Sequence, residues 1–362
     1  MVFKKSILAY FGALLFLIVF MTAVFYVSDP YALFHRPWFD KGKMYDNLRI
    51  QNYGLIKFGN FDGIILGTSM LENTSAAEAT EKLKLSYANL SLSGGSFYEK
   101  MLIAQFAVKT KHIKSVILSL DYHFDTEKRI GNSFDPDLYG ENQLAGKIRT
   151  YLTGKAVFCV LLRKKCDFVK RDTDRPKAWM DLPEHARRFG GFDNWLKYAN
   201  EDGQIQAALN DLLRNESDHK SEYAKYQSVT DNEILPLFKN KDTEFSIIVP
   251  PYSVFWWVKR KSELEEMMRP FEYLVEKTQD LPNVKIYWFY DDDYVFDISR
   301  YKDLAHYHPS VNSLQLNAIR NGTHILDKSN YRRKIDAFVK KVRAFDLEPY
   351  LEKIRRAKKN GS

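Results

Sequence analysis

Three stretches of this chain combine side-chain types and spacing that could do chemistry. In Gly67-Thr68-Ser69-Met70 a serine stands directly behind the apolar run Gly63–Leu66. At the carboxyl end of a strand, its hydroxyl would face a crevice with backbone N–H groups nearby. That suits a nucleophile whose oxyanion is held by amides. The same serine could instead N-cap a following helix. Leu92-Ser93-Gly94-Gly95-Ser96 places a glycine pair behind a second run. Gly94 and Gly95 permit positive φ and close backbone approach, so either could offer an N–H to an oxyanion or simply form a tight turn. In Tyr301-Lys302-Asp303-Leu304-Ala305-His306-Tyr307-His308-Pro309, two residues separate Asp303 from His306. A serine nucleophile needs a base beside it and a carboxylate to orient that base, and a D-x-x-H turn can bring both to one crevice. A capping aspartate and a surface histidine are the alternative.

Two further residues lie at the same sheet edge. Asp121, in Leu120-Asp121-Tyr122-His123-Phe124, follows a third apolar run, and Tyr252 sits in the turn Pro250-Pro251-Tyr252-Ser253. Both are candidates for the oxyanion or substrate side of the site; Tyr252 would otherwise be a packed tyrosine on a rigid turn. His306, His308 and Asp303 could share a metal, but no further clustered ligand accompanies them, and His123 reads as a loop histidine. Asp291-Asp292-Asp293 lacks the spacing of a calcium loop and reads as solvated. No metal and no cofactor is expected.

These motifs need strands and helices to hold them. Five short β-branched runs are present: Gly63–Leu66, Ser86–Leu92, Ser115–Leu120, Phe245–Val249 and Val284–Phe289. Several are continuously apolar, as in a parallel sheet covered on both faces. Helical spacing over Ser96–Thr110 and Leu264–Thr278 alternates with them, which predicts a three-layer, doubly wound α/β fold. Residues 28–60 are aromatic and irregular and read as a stalk. Residues 61–125 and 241–330 form the sheet-bearing domain, interrupted by a charged, mostly helical insertion over 126–240 that holds Trp179 and Trp195. Residues 331–362 read as a basic amphipathic helix packed on the body.

Composition narrows the class further. Hydrophobic residues make up 45% of the 362 positions, enough for a buried core and against wholesale disorder. The net charge of +8 suits an anionic polymer, an anionic membrane surface or nucleic acid. No zinc finger, RNP strand or helix-turn-helix pattern accompanies the Arg163-Lys164-Lys165 and Arg355-Arg356 clusters, so nucleic acid is set aside. Ile7–Val27 carries no charge over 21 residues, long enough at about 1.5 Å per residue for the ~30 Å hydrocarbon core. Lys4 and Lys5 precede it, so residues 1–6 are expected in the cytoplasm, 7–27 as an uncleaved anchor, and the rest exported; the alternative is a signal peptide cleaved near Thr22-Ala23. Cys159 and Cys166 lie seven apart in a stretch that reads as helix. Two turns would separate their Cα atoms by about 10 Å, so two buried thiols are expected unless the helix breaks there. Asn-x-Ser/Thr triplets at Asn73, Asn89, Asn215 and Asn321 would matter only in a glycosylating pathway.

The order of the motifs (serine after strand one, glycine pair after strand two, D-x-x-H after strand five) resembles the SGNH/GDSL hydrolase superfamily over residues 60–125 and 244–325. The resemblance implies a flavodoxin-like sheet with Ser69 as nucleophile, His306 as base, Asp303 as its orienter, and Gly94 or Gly95 as an oxyanion donor beside the Ser69 amide. Block one reads Gly-Thr-Ser instead of Gly-Asp-Ser. The asparagine of the family's third block is absent, with Asp121 in that region. With its anchor and atypical blocks the chain is most similar to the membrane-anchored branch, whose members D-alanylate teichoic acids or O-acetylate alginate. The expected activity is therefore that of an extracytoplasmic serine O-acyltransferase or esterase. Its acceptor would be a cell-surface glycan, and a membrane acyl-exporting protein would supply the acyl donor. The alternative is a non-catalytic SGNH-like protein that binds polysaccharide or scaffolds a glycan-modification complex.

Overall fold

The computed structural model describes residues 2–39, 42–121, 130–131, 133–162, 166–170, 173–174, 179–214 and 223–360. His123, the Arg163-Lys164-Lys165 cluster and Asn215 lie outside them. In chain order the elements begin with α1 (Val2–Ser28), β1 (Lys43–Tyr45), α2 (Leu48–Phe58), β2 (Gly63–Leu66), α3 (Ala76–Leu83), β3 (Tyr87–Asn89), α4 (Phe97–Thr110) and β4 (Ser115–Ser119). The middle of the chain forms α5 (Pro136–Tyr139), α6 (Gln143–Tyr151), α7 (Gly154–Leu162), β5 (Phe168–Lys170), α8 (Pro183–Ala186), α9 (Phe192–Tyr198), α10 (Gly203–Leu213), α11 (Tyr223–Val229) and α12 (Leu235–Phe238). The remaining elements are β6 (Glu244–Val249), α13 (Val254–Val258), α14 (Leu264–Thr278), β7 (Val284–Trp288), α15 (Pro309–Asn321), β8 (Ile325–Leu326), α16 (Tyr331–Ala344) and α17 (Glu348–Asn360).

The chain forms two compact units. The first holds Met1–Asn60, Lys109–Lys111 and Ile130–Asp172; the second holds the remainder. The stretch expected as a stalk thus falls in one unit with residues 130–172 of the expected insertion. In the first unit, α1 contains a segment, Ser6–Ser28, long and apolar enough to cross a membrane. Behind it Asp29 organises the chain: its carboxylate accepts the backbone N–H groups of Leu33, Phe34 and His35 and the Tyr151 hydroxyl. β1 and β5 pair antiparallel, with Lys43 opposite Lys170 and Tyr45 opposite Phe168. One expectation is overturned here. Helix α7 is described to Leu162, and the Cα of Cys166 lies 4.6 Å from that of Cys159, the two joined by a disulfide. The wide separation expected of these thiols holds only along an unbroken helix.

The second unit is built on a six-stranded sheet of order β3-β2-β4-β6-β7-β8. Its first five strands are parallel, in the register Gly63–Tyr87, Gly63–Ser115, Ser115–Glu244 and Phe245–Val284; β8 adds antiparallel to β7. Every residue of β2, β3 and β4 is buried, which explains why β2 and β4 read as nearly continuous apolar runs. Ile65, Ile117, Ile248 and Tyr287 form one core face with Leu71, Ala79 and Leu316. Each such aliphatic side chain removed from water contributes about 1.5–3 kcal/mol. The helices follow their sequence signals. Ser75 caps α3 by accepting the Glu78 N–H, as in a capping box. Helix α15 starts at Pro309 and ends at Gly322, whose φ is 64°. The basic tail, expected as one helix, is two. Phe345 is extended, the Asp346 carboxylate accepts the Glu348 N–H, and Pro349 suits the first turn of a new helix. Ile335, Phe338 and Val342 of α16 and Ile354 of α17 are buried, so both helices pack on this unit.

Candidate active site

The parallel pairing of β2 and β3 continues past both strand ends: the Leu90 N–H donates to the Ile65 carbonyl and the Leu92 N–H to the Gly67 carbonyl (2.8 Å each). This sets the turns bearing Ser69 and Gly94 side by side, two residues beyond the last bond. Strand order reverses between β2 and β4, and in open parallel sheets the crevice for ligands opens beyond the carboxyl ends at such a point. Gly67 is required by space, since a Cβ there would lie 2.7 Å from the Leu71 side chain and 2.8 Å from the Ser119 hydroxyl. Ser69 does not cap α3; Ser75 does. The Ser69 Oγ instead lies 2.8 Å from His306 Nε2. Among the described residues the Ser69 N–H has no acceptor.

His306 comes from the tip of a small hairpin. Tyr301 and Tyr307 face each other in an antiparallel bridge, and the Lys302 N–H donates to the His306 carbonyl at 3.0 Å. At the tip, Asp303 Oδ1 accepts the backbone N–H groups of Ala305 and His306 (2.9 and 2.8 Å), an aspartate turn that fixes the loop. His306 Nδ1 lies 2.8 Å from Asp303 Oδ2 and 3.0 Å from Oδ1. Burial alone would push the Asp303 carboxyl up, but His306 beside it, with the backbone N–H and Lys302, holds it well below the ordinary carboxylate range. An ionised carboxylate only accepts, so Nδ1 carries the proton and, in the neutral ring, Nε2 is left to accept from Ser69. The Tyr307 hydroxyl and the Asn312 amide both donate to the Met70 carbonyl (3.0 and 2.9 Å), fastening hairpin and α15 to the serine turn. Asp303 and His306 retain 21% and 26% side-chain exposure, so the site is open to solvent.

The other sequence candidates fall in different places. Gly94 is exposed with φ 57°, the conformation anticipated for a glycine turn, but the Gly95 N–H is committed to the Leu92 carbonyl at 2.9 Å and faces no oxyanion. Asp121 is not on the substrate side either. Its Oδ1 accepts the Thr68 hydroxyl at 2.9 Å; its Oδ2 accepts Lys100 Nζ at 2.5 Å and the Ser119 hydroxyl at 2.9 Å. Burial would raise this carboxyl, yet Lys100 and the two hydroxyls hold it below its ordinary value. The pair is buried and its charge is matched, so Asp121 acts as a clamp on the residue preceding Ser69. Tyr252 is also packed rather than presented: its ring stacks on Trp256 at 4.9 Å and its N–H donates to the Tyr290 hydroxyl at 3.2 Å. The proline turn works as a buckle, since the Tyr301 hydroxyl donates to the Pro251 carbonyl (2.9 Å) and the Ser253 hydroxyl to the Leu304 carbonyl (2.6 Å). His308 caps α15 by accepting the Ser310 N–H and takes no part with His306.

Three residues at the site carry no motif in the sequence. The Trp179 indole N–H donates to the Ser69 carbonyl at 2.9 Å, and its ring meets His306 edge-on at 5.7 Å. Behind it, Lys302 Nζ lies 4.0 Å from the centre of the Trp179 ring and 2.9 Å from His185 Nδ1. Arg188 donates to the same nitrogen at 2.9 Å, and two cationic donors require His185 to be the neutral acceptor with its proton on Nε2. Burial, then Lys302 and Arg188, bring His185 down to about 4; burial brings Lys302 down to about 8. The only forewarning was that Lys302 adjoins Asp303. The Asn89 amide donates to the Leu71 and Thr74 carbonyls, and both Asn89 and Asn73 are buried, so neither is presented to a glycan-transferring enzyme. Among the described residues no group of three or more His, Cys, Asp or Glu is placed to hold a metal ion. No family model and no curated protein matches this chain.

Proposed function

We propose that the protein is a membrane-anchored, SGNH-like serine O-acyltransferase or esterase that modifies a cell-surface polysaccharide through an acyl-serine intermediate. The observation that carries this reading is the unbroken relay from Ser69 Oγ through both ring nitrogens of His306 to Asp303. His306 takes the hydroxyl proton as Ser69 Oγ bonds to the acyl carbon. The tetrahedral oxyanion is met by the Ser69 amide and the Gly94 turn. The bond to the donor's leaving oxygen or sulfur breaks, and that atom receives the proton from His306. In the second half a sugar hydroxyl, or water, gives its proton to His306 and attacks the acyl-serine, and Ser69 Oγ leaves with that proton.

Several features support the setting. The five parallel strands follow the order 2-1-3-4-5 of flavodoxin-like sheets. The charge of Lys4 and Lys5 before α1 favours export of the chain beyond that helix, and the Cys159–Cys166 disulfide suits an oxidising compartment. The net charge of +8 suits an anionic glycan. An acyl donor delivered by a membrane acyl-exporting protein belongs to the same reading. A second reading, a non-catalytic glycan-binding scaffold, is favoured by one observation: neither the Gly95 N–H nor the Asp121 side chain supplies an oxyanion donor. Release of p-nitrophenolate from p-nitrophenyl acetate by the detergent-solubilised full chain separates the two. The enzyme reading expects turnover that Ser69→Ala and His306→Ala both abolish; equal release by wild type and Ser69→Ala refutes it.

A further inference from the structure

The first unit carries an apolar surface that the proposed chemistry does not use. Helix α7 has the sequence Gly154-Lys155-Ala156-Val157-Phe158-Cys159-Val160-Leu161-Leu162. Ala156, Cys159 and Val160 point into the unit and are buried, whereas Phe158, Leu161 and Leu162 point outward, Phe158 being 47% exposed. Apart from Lys155, the side chains of α7 are apolar on the inner and the outer face, as in a helix of a protein interior or of lipid. Helix α6 repeats the pattern. Gly146 and Tyr151 face inward, while Leu144, Ile148 and the capping Leu152, spaced by four, stand outward with Leu144 and Leu152 at 65% and 73% exposure. Six large aliphatic or aromatic side chains on two consecutive helices are far more than the scattered exposed leucines of a soluble surface.

The neighbours of this face indicate its cover. Helix α1 packs on α7. The Phe25 ring, near the end of α1, meets Tyr151 at 5.7 Å, and the Tyr151 hydroxyl donates to Asp29, directly behind α1. The 23 residues from Ser6 to Ser28 rise about 35 Å, slightly more than the hydrocarbon core, so a span over them surfaces near Asp29. Tyr26 and Trp38, whose rings lie 6.2 Å apart, stand at the same end with Trp38 half exposed, as interfacial aromatics do. We propose that the outer face of α6 and α7 lies in the membrane interface, so that this unit is docked on the bilayer as well as tethered to it. The inference rests on reading α1 as a membrane span.

The test uses the full chain in vesicles of three parts phosphatidylethanolamine to one part phosphatidylglycerol. A nitroxide is attached in turn at Leu152→Cys, Phe158→Cys and, as a span control, Phe16→Cys; the native cysteines are paired and take no label. Collisions with oxygen, enriched in lipid, are compared with collisions with a water-soluble nickel chelate. The proposal expects oxygen to dominate at 152 and 158 as at 16, with the two outer sites shallower than the control. Leu144→Cys, on the same face, substitutes for either outer site if a variant misfolds. Chelate dominance at the outer sites, with oxygen dominant at 16, overturns docking and leaves the span standing. An immobilised label reached by neither reagent also overturns it, since a protein then covers the face. Chelate dominance at 16 removes the span and the docking inference with it.

Discussion

The buried Lys100–Asp121 pair permits a prediction whose size and sign both come from the structure. The two side chains are only 2% and 8% exposed, and among the described residues Lys100 is the one cation that pairs with the carboxylate, whose other partners are the Thr68 and Ser119 hydroxyls. Lys100→Met leaves a buried charge with two neutral donors, which costs about 3–5 kcal/mol near neutral pH. In the wild type the Asp121 pKa is depressed. Its contribution is therefore complete above the ordinary carboxylate value of about 3.9 and is lost only as pH falls through the lower folded value. In the variant burial dominates and the folded value rises above the unfolded one. The variant then keeps its stability in acid and loses it as pH rises through that raised value. Melting of the detergent-solubilised full chain, followed by tryptophan fluorescence, should show a fall on the order of 10 °C at about pH 7.5, shrinking toward about pH 5. Lys100→Met/Asp121→Asn, which removes both charges and keeps an oxygen for Thr68, should regain most of it. A fall below about 2 °C, or one of equal size at both pH values, would refute the reasoning.

Asp303→Asn keeps the acceptor for the Ala305 and His306 N–H groups but offers an amide donor to the imidazole, so the wrong tautomer faces Ser69. Esterase turnover should fall on the order of 10³–10⁴-fold; a loss under tenfold contradicts the assigned orientation. Trp179→Phe removes the donor to the Ser69 carbonyl, worth about 1 kcal/mol, and should lower turnover by about fivefold without unfolding the protein. An unchanged rate would make Trp179 a packing residue only. Lys302 sits near 8, below its ordinary 10.5, so over that window the unfolded chain holds a proton the native state has released. Stability should therefore rise with pH between about 8 and 10, by at most about 3 kcal/mol, and the slope should vanish in Lys302→Met. An unaltered slope in that variant would sink the assignment.

Much of the second unit was legible because its signals are local. GIIL, SVILS and FSIIV are strands whose neighbours bury both faces, and Leu264–Thr278 forms its helix between the anticipated ends. The D-x-x-H spacing was equally telling, because the aspartate both turns the loop and reaches the imidazole three residues on. The hidden features depend on partners distant in sequence. β8 is two residues long and exists only by pairing with β7; β1 exists only because Phe168–Lys170 lies opposite it. Asp121 read as a site carboxylate because nothing in the sequence tells that Lys100, on α4, reaches it. Trp179 and His185 come from a stretch without periodic pattern and meet the hairpin only in the folded chain. The disulfide requires Cys159 and Cys166 to approach to a Cα separation of 4.6 Å, which a seven-residue spacing in a helical-looking stretch does not reveal.

The central claim is that Ser69 is an activated nucleophile. Its most direct measurement is the intact mass of the detergent-solubilised full chain after exposure to a fluorophosphonate, beside Ser69→Ala and His306→Ala. The relay seen between Ser69, His306 and Asp303 predicts one adduct on the wild type, mapped to Ser69, and none on either variant. A folded wild type that gains no adduct, or an adduct that persists in Ser69→Ala, would contradict it.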